Sequence, residues 1–225
     1  MMLPMLSIII PTLNAAQSLT NCLNRLDSCD IETEVIVVDG GSSDDSSARA
    51  RNFGAHVVTS DSGRGRQMIA GAEHATGNWL LFLHADTLLG ETWERAVTDF
   101  QNRWPDRAGY FDFAFQGTSF RNKIWARGVA LRCALFKFPY GDQGLLIPRT
   151  LYDQVGGFRA LPFLEDVDLV RRLGRRRLIR IYCTAFTAAD RFERDGYFRR
   201  SAKNLIIVLL HACGVSPAKL VKLYR

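Results

Sequence analysis

Two stretches of this chain place a carboxylate where an apolar run gives out. Trp79-Leu80-Leu81-Phe82-Leu83 runs into His84-Ala85-Asp86, and Val35-Ile36-Val37-Val38 runs into Asp39-Gly40-Gly41-Ser42-Ser43. Continuous apolar runs mark strands buried on both faces of a parallel sheet, and open α/β sheets bind ligands beyond the carboxyl ends of their strands. At such an end, Asp39 can accept hydrogen bonds from the imide or amide edge of a nucleotide base, while Gly40 and Gly41 let backbone approach a ligand closely. Asp86, facing the same crevice, has the chemistry of a ligand for a hard cation, Mg2+ or Mn2+, whose other positions go to water and substrate phosphates. His84 precedes it by two residues and points to the same side of an extended chain, either toward ribose or phosphate or into packing. Taken alone, Asp86 could also cap a helix starting near Glu91 or close a turn.

These residues need a scaffold, and the first half of the chain supplies alternating elements. Residues 7–10, 34–38, 56–59 and 79–83 read as strands, and 16–26, 46–53, 66–75 and 91–103 as helices. That alternation implies parallel βαβ units. Past Pro105 the pattern is less regular. Residues 109–115 read as a strand, 120–135 as a long amphipathic segment and 144–147 as a short strand, and a helix after Pro148 ends before Gly156-Gly157. Glu165, Asp166 and Asp168 then precede a run of arginines; on their own they also fit an acidic helix start favoured by the helix dipole.

Composition bounds the rest. The 225 residues are 47% hydrophobic and 23% charged, enough for one large α/β domain and unlike a disordered chain. Its expected parts are residues 1–104, 105–195 and a basic helical tail, 196–225. The net charge of +6 is uneven: from Arg171 onward fourteen Lys or Arg face three acidic residues, a net +11, and the first 170 residues total −5. The excess can therefore attract an anionic membrane surface, an anionic substrate or nucleic acid, or simply form a solvated basic face. No nucleic-acid-binding motif accompanies the charge. Residues 205–210 form an apolar segment far shorter than the ~20 residues needed to cross a bilayer, so it is expected to dock on the sheet or lie on a membrane surface. Cys22, Cys29, Cys133, Cys183 and Cys213 are scattered, and no signal peptide is evident. Both features predict reduced thiols and a cytoplasmic protein, peripheral to the inner face of the membrane if the tail binds there. The glycines after Asp39 follow the second strand without the spaced dinucleotide fingerprint, which argues against a nicotinamide-dependent dehydrogenase.

Five motifs in order resemble glycosyltransferase family 2. They are Ser7-Ile8-Ile9-Ile10-Pro11-Thr12-Leu13-Asn14, the VIVVDGGSSDDS run from Val35, Gly63-Arg64-Gly65-Arg66 ahead of a helix, the strand ending His84-Ala85-Asp86, and Glu165-Asp166-Val167-Asp168-Leu169. Together they span roughly residues 6–173. The compact length, the His-Ala-Asp variant and the ending from Val215 to Arg225 also resemble a bacterial subgroup linked to arsenosugar biosynthesis.

The resemblance implies a GT-A fold, a single Rossmann-like α/β domain with a mixed, mostly parallel sheet flanked by helices. It implies an inverting transferase that moves one sugar from a UDP- or GDP-type donor to an acceptor hydroxyl, assisted by a divalent cation. Pro11, Thr12, Asn14, Asp39, Gly41, Arg66, His84 and Ala85 would form the donor pocket. Asp86 would match the metal-binding end of the family's Asp-X-Asp motif. His84 replaces the usual first aspartate, and one fewer negative charge should weaken metal affinity or change the preferred ion. Asp166 would be the general base, with Glu165 shaping the acceptor pocket, since a hydroxyl attacks well only as a carboxylate takes its proton. Asp142 and Gln143, in Gly141-Asp142-Gln143-Gly144, would contact acceptor hydroxyls. A sugar nucleotidyltransferase would need a glycine-rich, basic loop after the first strand, where this chain has Pro11-Thr12-Leu13-Asn14-Ala15. A binding protein that keeps the fold without turnover is the other alternative, and His84 makes it conceivable. The absence of a Gln-X-X-Arg-Trp motif and of transmembrane helices points away from a processive synthase and toward single-sugar addition.

Overall fold

Ile8, Ile9 and Ile10 are all fully buried, as an element packed on both faces requires. They form the middle of β1 (Leu6–Thr12), whose side chains alternate between two cores. Burying each such side chain stabilises the fold by about 1.5–3 kcal/mol. The computed structural model describes residues 5–27, 31–117 and 119–188, with 203, 206, 207, 210, 215, 216, 219 and 220. Cys29, Cys213, half of 205–210 and most of the basic tail lie outside the described residues.

After β1 the order is α1 (Ala16–Leu26), β2 (Thr33–Asp39), α2 (Ser46–Phe53), β3 (His56–Thr59), α3 (Arg64–His74) and β4 (Trp79–Phe82). Then come β5 (Thr87–Leu89), α4 (Trp93–Arg103), β6 (Ala108–Phe115), α5 (Phe120–Phe136), β7 (Leu145–Pro148), α6 (Arg149–Gln154), α7 (Glu165–Leu173) and β8 (Leu178–Thr187). The sheet runs β3-β2-β1-β4-β7-β6-β8-β5. β1 pairs in parallel with both β2 and β4, β7 is antiparallel to β4 and β6, and β5 is antiparallel to β8. The sheet is mixed and mostly parallel, as expected for a GT-A fold. Strand order reverses between β1 and β4, so the crevice beyond their carboxyl ends is the topological switch point.

Two apolar layers enclose the sheet. Ile8, Ile10, Leu81 and Leu83 pack with Leu19, Leu23, Trp93 and Phe100, whereas Ile9, Leu80 and Phe82 pack with Met68, Ala72, Leu151 and Val170. Gly71 is needed where α3 crosses β1: a Cβ there would stand 2.3 Å from Ile9 Cγ2.

The expected elements stand, with boundary shifts and four corrections. β5 and β8 come from stretches to which the sequence pattern assigned no element: β5 has only three residues, and β8 alternates buried and exposed positions behind the arginine run. The helix expected from residue 91 starts at Trp93, so Asp86 caps no helix; it sits in a turn closed by the Thr87 N–H on the His84 carbonyl. α3 begins two residues early, at Arg64. Finally, α5 buries Asn122 and Cys133 while leaving Phe120, Ile124, Leu131 and Leu135 exposed, so it is apolar on its outer side too. Among the described residues no helix is long and apolar enough to cross a membrane.

Candidate functional site

At the switch point the first two βα loops are stitched together by short polar side chains. Asn14, in the left-handed region at φ 50°, accepts the Ser43 N–H at 2.8 Å through Oδ1, and its own N–H reaches Ser42 Oγ at 2.9 Å. The Ser46 hydroxyl accepts the Ala15 N–H, and the Asp44 carboxylate takes the Ala16 N–H at the start of α1. Asp39, opposite Thr12 in the β1–β2 register, is buried and accepts from the Ser42 N–H and Oγ and from Ser47 Oγ. Burial alone would raise its carboxyl, but these donors hold it below the usual range. Gln67, reaching in from α3, donates from Nε2 to the carbonyls of Thr12 and Val38 at 2.8 Å each and so pins the two strand ends together.

A crevice of about 460 Å3 opens at this edge, lined among others by Pro11, Thr12, Asn14, Arg64, His84, Ala85 and Asp86. Asp39 and Gly41 lie behind it in the loop framework and do not line it. Arg66 points outward to Asp61 at 3.1 Å, with both side chains largely exposed. The structure thus brings Arg64, not Arg66, to the crevice. Helical spacing carried that signal, because Arg64 shares a face with buried Gln67, Met68 and Gly71 and Arg66 does not.

Asp86 has a buried Oδ1 with no hydrogen-bond partner among the described residues. Its backbone carbonyl accepts from Gln116 Nε2 at 3.2 Å and from the Ala188 N–H. Its charge, after the larger effect of burial, helps push the nearby Cys22 thiol up to about 12. Cys22, Cys133 and Cys183 are all free thiols.

A second, much smaller cavity of about 20 Å3 adjoins the first, and Arg64 and His84 line both. Its walls include Glu165 and Asp166 at the start of α7. Glu165 is 3% exposed and meets Arg64 Nη1 at 3.5 Å; burial and the neighbouring Asp166 charge raise its carboxyl, against the pull of Arg64. Asp166 accepts the Gly141 N–H through Oδ2 and the Val167 N–H through Oδ1, both at 2.7 Å. Gly141 lies between the two halves of the site: a Cβ there would stand 2.9 Å from His84 Nε2 and 3.2 Å from Asp166 Oδ2.

The loop that follows holds its two expected acceptor contacts in different states. Gln143 is fully engaged by the chain: Nε2 donates to the Phe111 carbonyl, and Oε1 accepts from Arg132 and from the Cys133 thiol. Asp142 has a buried Oδ1 with no hydrogen-bond partner among the described residues. Its carboxyl is pushed up to about 6, chiefly by burial and further by Asp166 and Asp86, against Arg132. Arg132, unnoticed in the sequence, stacks its guanidinium 3.6 Å from the centre of the Tyr140 ring.

Among the described residues no cluster of three or more His, Cys, Asp or Glu side chains stands ready to hold a metal unaided. The unsatisfied Asp86 Oδ1 fits a shared ion, in which one carboxylate is supplemented by phosphate oxygens and water. The arrangement is thus an open crevice with one carboxylate arm, a guanidinium and an acidic pair beside it.

The family model for glycosyl transferase family 2 matches residues 7–163. A PGL/p-HBAD biosynthesis glycosyltransferase of Mycobacterium bovis (strain BCG / Pasteur) is 35% identical over 166 residues, 69% of this chain and 63% of that protein. This chain therefore spans less than two thirds of that curated relative. Among solved structures, glucosyl-3-phosphoglycerate synthase of Mycobacterium tuberculosis, in complex with Mg2+ and UDP, superposes with a TM-score of 0.67 at 17% identity, covering 94% of this chain and 80% of its own. The mannosyltransferase PcManGT of Pyrobaculum calidifontis, in complex with GDP-Man and Mn2+, superposes with a TM-score of 0.58 at 20% identity, covering 80% and 56%. At these identities the two structures speak for the fold alone.

Proposed function

Since this chain belongs to glycosyl transferase family 2, we propose that it transfers one sugar from a nucleoside-diphosphate donor to an acceptor hydroxyl with inversion at the anomeric carbon. The observation that carries this reading is the unsatisfied Asp86 Oδ1 at the switch point, in a crevice that shares Arg64 and His84 with the pocket of Glu165 and Asp166. The UDP and GDP-Man bound in the two solved structures support a donor of that class.

In the proposed reaction the acceptor oxygen forms a bond to the anomeric carbon as the bond from that carbon to the diphosphate oxygen breaks, and the acceptor proton passes to Asp166. Each carboxylate oxygen has two lone pairs, so Asp166 Oδ2 can hold the Gly141 N–H and still take a proton. The two backbone donors on Asp166 fix the orientation of its carboxylate between Gly141 and the first turn of α7. Glu165, raised by burial, shapes the acceptor side and stays compensated by Arg64, whose guanidinium also faces the crevice where the diphosphate would lie. Pro11, Thr12, Asn14 and Ala85 would line the donor, with Asp39 and Gly41 framing the base-proximal loop behind them. Asp142 is the acceptor-side carboxyl still open to a substrate hydroxyl.

Asp86, with His84 beside it, would hold a Mg2+ or Mn2+ together with the donor phosphates, and the ion would neutralise charge on the leaving diphosphate. The free thiols suit work in the reducing cytoplasm. The ending that resembles the arsenosugar subgroup lies mostly outside the described residues and names no acceptor. Testing takes two variants, Asp86→Ala and Asp166→Asn, assayed for donor hydrolysis and for transfer. Both should lose transfer; full transfer in both would overturn the assigned roles.

A further inference from the structure

α5 shows solvent a face that water does not favour. Phe120, Ile124, Leu131 and Leu135 are 76%, 49%, 59% and 54% exposed. Their spacing keeps all four on one narrow stripe along a helix of 17 residues, about 25 Å long. Every charged residue of the helix is basic. Exposed Lys123 and Arg127 flank the stripe on one side and Arg121 on the other, with Lys137 at the carboxyl end. On the Lys137 side the stripe borders a cleft of about 810 Å3 between α4, α5 and β8, whose cations are Arg95, Arg103, Lys137 and Arg180. Asp99 and Asp112 pair with Arg95 and Arg180, while Arg103 and Lys137 form no ion pair among the described residues.

We propose that this outer face of α5 docks on an anionic lipid surface, with the apolar stripe at the level of the acyl chains and the flanking cations on the headgroup phosphates. An apolar stripe flanked by cations is how a helix lies in the plane of a charged interface. A second copy of this chain is the poorer occupant, because it would bring two basic rows together across the contact. The described part of the C-terminal tail packs elsewhere, with Ile207 and Leu220 against Leu164 and Val167. The inner side of α5 holds the loop of Asp142: Arg132 and Cys133 both donate to Gln143 Oε1. Docking by the outer face therefore places that loop about one helix diameter, ~10 Å, from the bilayer.

Co-sedimentation of the full chain at low salt with vesicles of phosphatidylglycerol and phosphatidylcholine, beside pure phosphatidylcholine, tests this without any assay of turnover. The expected result is about tenfold or greater partition onto the anionic vesicles. Leu131→Asp with Leu135→Asp, and separately Lys123→Glu with Arg127→Glu, should each cut that partition about tenfold with an unchanged melting temperature, since all four positions are exposed. Replacing Lys219, Lys222 and Arg225 by Gln should leave it within about threefold. Equal partition onto both vesicles, full binding by the α5 variants, or loss only in the tail variant would overturn the proposal. So would sedimentation velocity showing, without lipid, a dimer that Leu131→Asp dissolves.

Discussion

The two sides of the crevice are built on opposite terms. On the donor side the carboxylate of Asp39 is met by two serine hydroxyls and a backbone N–H, Asn14 and Ser43 close on each other, and Gln67 saturates two strand-end carbonyls. On the acceptor side Asp142 keeps an unsatisfied buried oxygen, and Glu165 is raised by burial and a neighbouring charge. A buried polar atom left without a partner costs about 1–3 kcal/mol. The β1 and β2 loops are therefore preorganised by the chain's own hydrogen bonds, whereas Asp86 at the end of β4 and Asp142 across from it each keep a buried oxygen open, under the proposed function to an ion and to an acceptor hydroxyl.

The largest effect should come from the acid pair. Asp166→Asn keeps the size and the contact to Gly141 but removes the base, so transfer should fall by about 10²–10⁴-fold, read as kcat/KM for transfer, with donor affinity nearly unchanged. Loss of donor affinity instead would move Asp166 to the donor side of the comparison. Next come the two arginines of α3. Arg64→Ala should lower transfer by about 10–100-fold, because it strips the crevice of its cation and leaves Glu165 buried without compensation. Arg66→Ala breaks only an exposed pair and should change rates less than about twofold. Equal losses would mean that Arg66 reaches the donor after all.

The smallest effects distinguish the halves by sign. Asp142 has a folded value raised to about 6, so its folded form binds a proton that the unfolded chain has already released, and it costs stability as pH rises from about 4 to 6. Asp142→Asn should therefore stabilise the protein above pH 6, by about 3 kcal/mol, with the gain vanishing below about pH 4. Asp39 is lowered, so its contribution is present above the unfolded value near 4 and lost as pH falls through the folded one. Asp39→Asn should accordingly destabilise at neutral pH by about 1–3 kcal/mol, less in acid. Thermal melts from pH 3.5 to 8 check both; matching signs would erase the contrast between the halves.

The same contrast explains what could be read before the structure. The donor half follows from local rules: apolar runs make strands, alternation with helices makes them parallel, and parallel strands carry ligands at their carboxyl ends. Asp39 and Asp86 were legible because a carboxylate ending such a run stands out. Arg64 was legible only in part, since the Gly63-Arg64-Gly65-Arg66 motif does not say which arginine turns inward, although the helical face shared with Gln67 and Met68 does. The acceptor half rests on long-range contacts. The Gly141 N–H on Asp166 and the pairing of β8 with both β5 and β6 join residues whose proximity no local pattern encodes. Gln143 was expected at the acceptor because its loop resembles the family's acceptor-side loop; in the structure its side chain is held by Phe111, Arg132 and Cys133.

The most direct test is release of nucleoside diphosphate from a panel of UDP- and GDP-sugars with Mn2+ or Mg2+, with the anomeric configuration of the freed sugar read by NMR. The account predicts release from one nucleotide class, a sugar of inverted configuration, and loss of both in Asp86→Ala. A retained configuration, or release as fast from Asp86→Ala as from the unaltered chain, would contradict it.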